Sequence, residues 1–341
     1  HQGRCVLSVE GGITLMISRR TMLKGAAAVP VAGLLASRFG TSYAQGATVK
    51  VGSKNFPEAL IVGEIYAQAL EAAGFTVERS LNLGGTVVAQ EALINGDIDL
   101  YPEYTGTGLL VVLGKTIADA TGAATPEAGA AMASPVAGFG PVDLAIYDYV
   151  KTEYEAQYQL TWLDQSPMND TQALAVKKTF ADENGIVTIS DLWAWGQDND
   201  ITISAPVDFE EREDGLLGLT NTYGEAKVSV NGVDPGIKYQ AVVDDDANVV
   251  LAFSTDAEIG FYDLVVLTDD KALWPPYHVA PVIRMDTLAA NPTIADALNA
   301  IAPLITTEVQ VGLNGQVVGD EKREPADVAK DFLVQNGIIS G

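Results

Sequence analysis

Between Gly96 and Gly108 the sequence GDIDLYPEYTGTG places Tyr101, Glu103 and Tyr104 at the end of an alternating apolar stretch (Ile98, Leu100) and follows them with a Thr-Gly-Thr-Gly turn. An apolar helix is expected directly after it, at Leu109–Leu113. A strand that feeds a helix start presents free backbone N–H groups and the positive end of the helix dipole, which favours a carboxylate there. Other residues of matching chemistry stand at element ends: Lys54 after the first strand, Arg212 in FEEREDG, Phe253 closing VVLAF, and Tyr277 after Pro275-Pro276. A quaternary ammonium can neither donate a hydrogen bond nor lose its charge. Ring faces therefore desolvate it, at roughly 0.5–2 kcal/mol per contact. The matching carboxylate would take Arg212 as a fork, Lys54 as a point charge, and the Thr107 hydroxyl or amide. Aromatic faces plus a cation pair describe a host for a dipolar solute. Each residue also has an ordinary reading: a tyrosine half-buried at a boundary, or, for Arg212, a local ion pair with Glu210, Glu211 or Glu213.

Enzyme chemistry is short of parts. Beyond residue 44 the only histidine is His278 and there is no cysteine; HExxH, CxxC and P-loop patterns are absent from the sequence. A hydrolase or lyase built on Glu103 lacks a nucleophile and a base. The acid runs Asp244–Asp246 and Asp269-Asp270 have no EF-hand spacing and read as solvated turns. No catalytic residue, cofactor or metal is expected.

The elements that must position these side chains begin after an export segment. Residues 16–44 carry the paired arginines of Ser18-Arg19-Arg20-Thr21-Met22-Leu23-Lys24, a short apolar run (Gly25 to Ala36) and the small-x-small site Ser42-Tyr43-Ala44. Together they read as a twin-arginine signal peptide, with Met16 as the start and residues 1–15 as an upstream artefact. The run is well short of the roughly 20 residues of a spanning helix. Cys5 falls in the removed part, so the mature protein is expected to be periplasmic, untethered and monomeric. Cleavage removes five basic groups and one acid, taking the formal net charge from −25 to −29. Such a surface repels nucleic acid and anionic headgroups, so neither is expected as a partner.

With 341 residues, 48% apolar and 19% charged, the chain suits a two-lobed globular protein. Residues 47–53, 75–81 and the stretch ending at Tyr104 read as strands. Helices starting near Pro57 and Val87 separate them and end at Gly74 and Gly96, giving β-α-β-α-β. Residues 119–142, rich in Ala, Gly, Pro and Ser, read as an inserted loop or loose helix. Strands are expected again near 160–164, 172–177, 201–205, 249–254, 264–268 and 279–284. Helical segments are expected near 178–184, 190–196, 215–223, 257–262, 293–304, 306–314 and 325–336. Polar joints at Asp164–Asp170 and Asp269–Pro276 mark the expected crossings between lobes.

The blocks VGSKNFPEALIVGEIYAQALEAAGF, LNLGGT, ALINGDIDLYPEYTGTG, LTWLD, DPGIKYQAV, AFSTD and DDKALWPPY, in that order, resemble the substrate-binding proteins of ABC importers for osmoprotectants such as glycine betaine, choline and proline betaine. The resemblance covers residues 49–338 apart from 119–142. It implies an α/β fold of the type II periplasmic-binding-protein class: lobe 1 from 45–167 and 276–341, lobe 2 from 168–275, two crossovers and a ligand cleft. It further implies an ABC permease and ATPase complex at the inner membrane as partner. The family's anion-binding lysine, threonine and arginine match Lys54, Thr107 and Arg212, and two tyrosines of its four-tyrosine box match Tyr104 and Tyr277. The other two box positions hold Gln172 and Phe253. Phenylalanine keeps a ring face, whereas glutamine substitutes a donor and an acceptor for one. The ligand is then a betaine or quaternary amine, with Trp274 supplying the missing face, or a different zwitterion such as an amino acid or heteroaromatic betaine. The intact anion clamp favours a carboxylate-bearing solute over choline.

Overall fold

The computed structural model describes residues 46–122 and 139–340, and a short antiparallel pairing of β1 (Val6–Leu7) with β2 (Leu15–Met16). The chain divides into two compact units, His1–Tyr43 and Ala44–Gly341. Cys5, the signal segment beyond Met16 up to residue 45, and residues 123–138 of the expected insertion lie outside the described residues.

Within the second unit the strands are β3 (Thr48–Gly52), β4 (Thr76–Ser80), β5 (Leu100–Tyr104), β6 (Leu160–Trp162), β7 (Gln172–Lys177), β8 (Ile201–Ala205), β9 (Val228–Gly232), β10 (Val249–Phe253), β11 (Leu264–Val266) and β12 (Val279–Arg284). They form two five-stranded sheets, ordered β4-β3-β5-β12-β6 and β11-β7-β10-β8-β9. Both are mixed. In the first, β3 runs parallel to β4 and β5 while β12 is antiparallel to β5 and β6. In the second, β8 runs parallel to β9 and β10 while β7 is antiparallel to β10 and β11.

Local chemistry explains the elements around the site. Pro57 opens the helix Pro57–Ala72, where its missing N–H costs nothing. That helix is buried almost all round (Ile61, Val62, Ile65, Tyr66, Leu70), because helices Thr307–Val318 and Pro325–Gln335 cover the side turned away from the sheet. Helix Thr86–Asn95 ends at Gly96, whose φ of +78° is the left-handed conformation glycine adopts freely. Arg284 Nη1 donates to the last carbonyls, Leu93 and Ile94, at 3.1 Å each. Every residue of β5 is buried, and Pro102 lies opposite Pro281 of β12, so two residues without backbone donors face each other.

Several expectations need correction. The apolar segment after Tyr104 is a single helical turn, Thr105–Thr107, that widens into a π-helical turn, Gly108–Val112. At 119–142, expected as an inserted loop or loose helix, the described ends are helical, in keeping with the second alternative there: Ile117–Thr121 and the start of Pro141–Tyr158, a helix whose length was not anticipated. The latter buries only a narrow stripe (Ile146, Val150, Tyr154), too thin to stand out beside an Ala- and Gly-rich stretch. Strand β9 and helices Lys238–Val243 and Met285–Ala290 were not expected; β9 is a short, half-exposed edge strand whose alternation, Val228-Ser229-Val230-Asn231, carries only two apolar residues.

The chain leaves the first sheet after β6 and returns to it after β11. The two crossings are stitched together. Asn169 bridges His278, Asp170 N donates to Tyr277 O at 2.9 Å, and Tyr277 N donates to Asn169 Oδ1 at 2.7 Å. The buried His278 turns Nδ1–H toward the carbonyls of Ser166 (3.1 Å) and Met168 (2.9 Å), and its ring meets the edge of Phe139. The histidine that a hydrolase would have needed is thus part of the joint between the lobes.

Candidate functional site

Seven of the residues singled out above, Lys54, Tyr104, Thr107, Gln172, Arg212, Phe253 and Tyr277, line one cavity with an empty volume of about 940 Å³, counting space open to solvent. Its wall draws on strand ends of both sheets: Tyr104 closes β5, Phe253 closes β10, Gln172 opens β7, and Tyr277 precedes β12. Tyr277 is seated by its neighbours. The Thr105 hydroxyl donates to Pro276 O and accepts from His278 N, and the ring lies so close to Gly106 that a Cβ there would come within 2.8 Å of it. The Thr-Gly-Thr-Gly turn therefore holds a wall of the cavity as well as starting a helix.

Both cations arrive already paired. Lys54 Nζ lies 2.6 Å from Glu103 Oε1 and 3.3 Å from Thr86 Oγ1, in a fully buried pair. Glu103 also accepts from the Tyr101 hydroxyl at 2.9 Å and from Tyr104 N at 2.7 Å. Arg212 grips Asp214 with two parallel bonds, Nε to Oδ1 at 2.7 Å and Nη2 to Oδ2 at 2.8 Å, and Nη1 reaches Asp208 at 3.4 Å. The local ion pair is real, but its main partner is Asp214 rather than the flanking glutamates. Burial pushes the Asp214 carboxyl up, yet Arg212, Gln172 and Tyr277 outweigh it and hold the group below the usual carboxylate range. Donor counting separates the two cations: after these bonds the ammonium keeps one N–H, while the guanidinium keeps two in a planar fork.

The aromatic wall is also partly engaged. Lys54 Nζ sits 4.8 Å from the Tyr104 ring centre and Lys238 Nζ sits 4.2 Å from that of Phe253. Phe56, tilted 6.1 Å from Tyr104, adds a further ring to the lining. Trp274, expected as a stand-in face, does not line the cavity; its Nε1 donates to Asp214 O at 2.8 Å.

Sequence reasoning overlooked an acidic wall. Glu58, Asp170, Asp256 and Glu258 line the cavity as well. Glu58 accepts from the Tyr104 hydroxyl at 2.7 Å and from Asn314 Nδ2 at 3.0 Å. Asp170 accepts from the Thr255 hydroxyl, and Asp256 from Lys238 Nζ (2.8 Å) and the Tyr239 hydroxyl (2.6 Å). Burial raises the carboxyls of Glu58 and Asp170 above their ordinary range, with the charge of Asp256 added for Glu58 and those of Glu58 and Asp256 for Asp170. A signal was available: Glu58 stands four residues after Lys54, and Asp256 and Glu258 follow Phe253 in FSTDAE.

Two mixed sheets, a doubled crossing and a cavity between strand ends define a type II periplasmic binding protein. The chain belongs to the family described as the substrate binding domain of ABC-type glycine betaine transport systems, which matches residues 47–335. Members of that family are transporter substrate-binding proteins rather than enzymes. A twin-arginine translocation signal sequence matches residues 16–36, so the protein is periplasmic, and among the described residues no helix is long and apolar enough to cross a membrane. The chain is 33% identical over 84% of its length to the ergothioneine transport permease/ergothioneine binding protein EgtU of Helicobacter pylori, of which it spans about half, 47%. It is 29% identical over 86% of its length to the carnitine transport binding protein OpuCC of Listeria monocytogenes, covering 88% of that protein. The crystal structure of a glycine betaine/carnitine/choline ABC transporter protein superposes with a TM-score of 0.62 at 26% identity, covering 86% of this chain and 99% of that one.

Proposed function

We propose that the protein captures a betaine-type zwitterion or quaternary amine between its lobes and hands it to an ABC permease and ATPase complex. The observation that carries this reading is the convergence of the Tyr104, Phe253 and Tyr277 rings with the Arg212 fork, Lys54 and Thr107 around one cavity. Unspent guanidinium N–H groups take the carboxylate, with Lys54 and Thr107 adding to the field, while the rings shelter the cationic end. Residues 45–167 with 276–341 act as one body and 168–275 as the other, closing on the stitched crossings around His278. The protein works as a monomer, without cofactor or metal, and carries out no chemistry on its solute. Relatives named for carnitine and glycine betaine support the solute class.

A second reading, a heteroaromatic betaine or amino acid, is favoured by Gln172 standing where a ring face is expected, and by the relative named for ergothioneine. Calorimetry with glycine betaine, proline betaine, carnitine, choline and ergothioneine tests both. Binding in the micromolar range or tighter by at least one is expected, and silence across the panel removes the proposal.

A further inference from the structure

Of the buried side-chain polar atoms without a partner among the described residues, Gln172 Oε1 alone belongs to a residue lining the cavity. Gln172 is 2% exposed. Its Nε2 donates to Asp214 Oδ2 at 2.6 Å and to the Tyr277 hydroxyl oxygen at 3.1 Å. Chemistry forbids the reverse orientation. Asp214, gripped by Arg212 through two bonds, is a carboxylate with only lone pairs to offer, and a turned amide would set oxygen against oxygen. Both amide protons are therefore used inside the wall, and the carbonyl oxygen is left over.

We infer that the solute carries a hydrogen-bond donor, an N–H or an O–H, that meets Gln172 Oε1, and that Gln172 selects such zwitterions over fully methylated ones with no donor. The inference rests on the betaine-type reading of the cavity and deepens it. Leaving a buried acceptor unpaired is costly, and the cavity that Gln172 borders is where a donor is brought up to it. A site built around a hydrogen bond rejects the analogue that lacks it far more strongly than an apolar pocket rejects a missing methyl group. Because Asp214 Oδ2 accepts from both Gln172 Nε2 and Arg212 Nη2, the acceptor and the guanidinium fork form one linked unit. The solute's donor and its carboxylate are thereby read at a set separation.

Calorimetry on the mature protein with two matched pairs tests this: glycine betaine against dimethylglycine, and γ-butyrobetaine against L-carnitine, each pair differing by one donor. In at least one pair the donor-bearing member is expected to bind about tenfold tighter or more. In Gln172→Met, which keeps the length and removes the amide, that ratio is expected to shrink to within about threefold. Equal or inverted affinities in both pairs of the wild-type protein overturn the inference whatever the variant does, and so does a ratio that survives in Gln172→Met. If a donor-free member binds well while neither donor-bearing partner gains anything, the betaine reading stands and this inference alone fails. If neither these compounds nor proline betaine, choline and ergothioneine bind, the betaine reading falls and the inference falls with it.

Discussion

On the first-sheet side of the cavity a lysine, Lys54, is buried against Glu103, which is fully shielded from solvent; on the second-sheet side an arginine, Arg212, is held by the equally shielded Asp214 yet keeps part of its own side chain exposed. Each of these two cations is thus paired with a sealed carboxylate. The difference lies in what is left over. A point charge with one free N–H, closed in by protein, serves mainly to neutralise Glu103 and contributes a field to the cavity. A guanidinium that keeps two N–H donors after its bonds to Asp214 and Asp208 is the group able to reach a second carboxylate. On the proposed reading the lysine side serves stability and the arginine side recognition.

The sharpest way to break this comparison is Lys54→Met. It leaves Glu103 charged, buried and unpaired, and should cost about 3–5 kcal/mol of folding stability in denaturant titrations. Adding Glu103→Gln should recover much of that loss. If Lys54→Met leaves stability unchanged while abolishing binding, the two sides have been assigned the wrong way round. Next in size, Arg212→Lys should keep the fold but weaken binding of a carboxylate-bearing probe such as glycine betaine by roughly 10- to 100-fold, since an ammonium cannot hold Asp214 and a solute in the same planar fork. An unchanged affinity in calorimetry would show that the fork is occupied by Asp214 alone. Gly106→Ala sharpens the account of the ring wall. A methyl group within 2.8 Å of Tyr277 forces that ring to move, at a cost of about 1–3 kcal/mol by thermal unfolding, together with weaker binding.

The smallest effect concerns pH. Glu58 and Asp170 have carboxyls raised in the folded protein, chiefly by burial, so between the unfolded value and the raised one the folded state holds more protons than the unfolded chain. Their contribution is complete below the unfolded carboxylate range and is lost as pH climbs through the raised values, by up to about 1.4 kcal/mol per group per pH unit. Asp214 runs the other way: its carboxyl is lowered, so its contribution is present above the unfolded value and is lost as pH falls through the folded one. Melting temperature should therefore rise on mild acidification from neutrality and fall again in strong acid. Asp170→Asn should flatten the first limb, and a wild-type profile that rises steadily with pH would contradict the acidic wall.

Much of this was legible along the chain. The β-α-β-α-β start, the crossings near 164–170 and 269–276, and most strands follow from apolar alternation and from glycine and proline at element ends. Those are local signals, set by backbone sterics and by which face must leave water. Among the elements that were missed, β9 and helix Pro141–Tyr158 expose much of their surface and bury at most a few apolar residues each, which leaves a short pattern to read.

Residue types alone determined that a cation pair and several ring faces would be placed at element ends, and that histidine, thiol and metal chemistry had too few parts. Only the tertiary structure decided which charges meet. Glu103 faces Lys54 across 49 positions, and Gln172 faces Asp214 across 42. Pairings of that range depend on how strands from distant parts of the chain are ordered in a sheet and on how two sheets approach, and no local propensity records either. The same reason hid the acidic wall, whose members come together only when Glu58, Asp170, Asp256 and Glu258 are folded around one cavity.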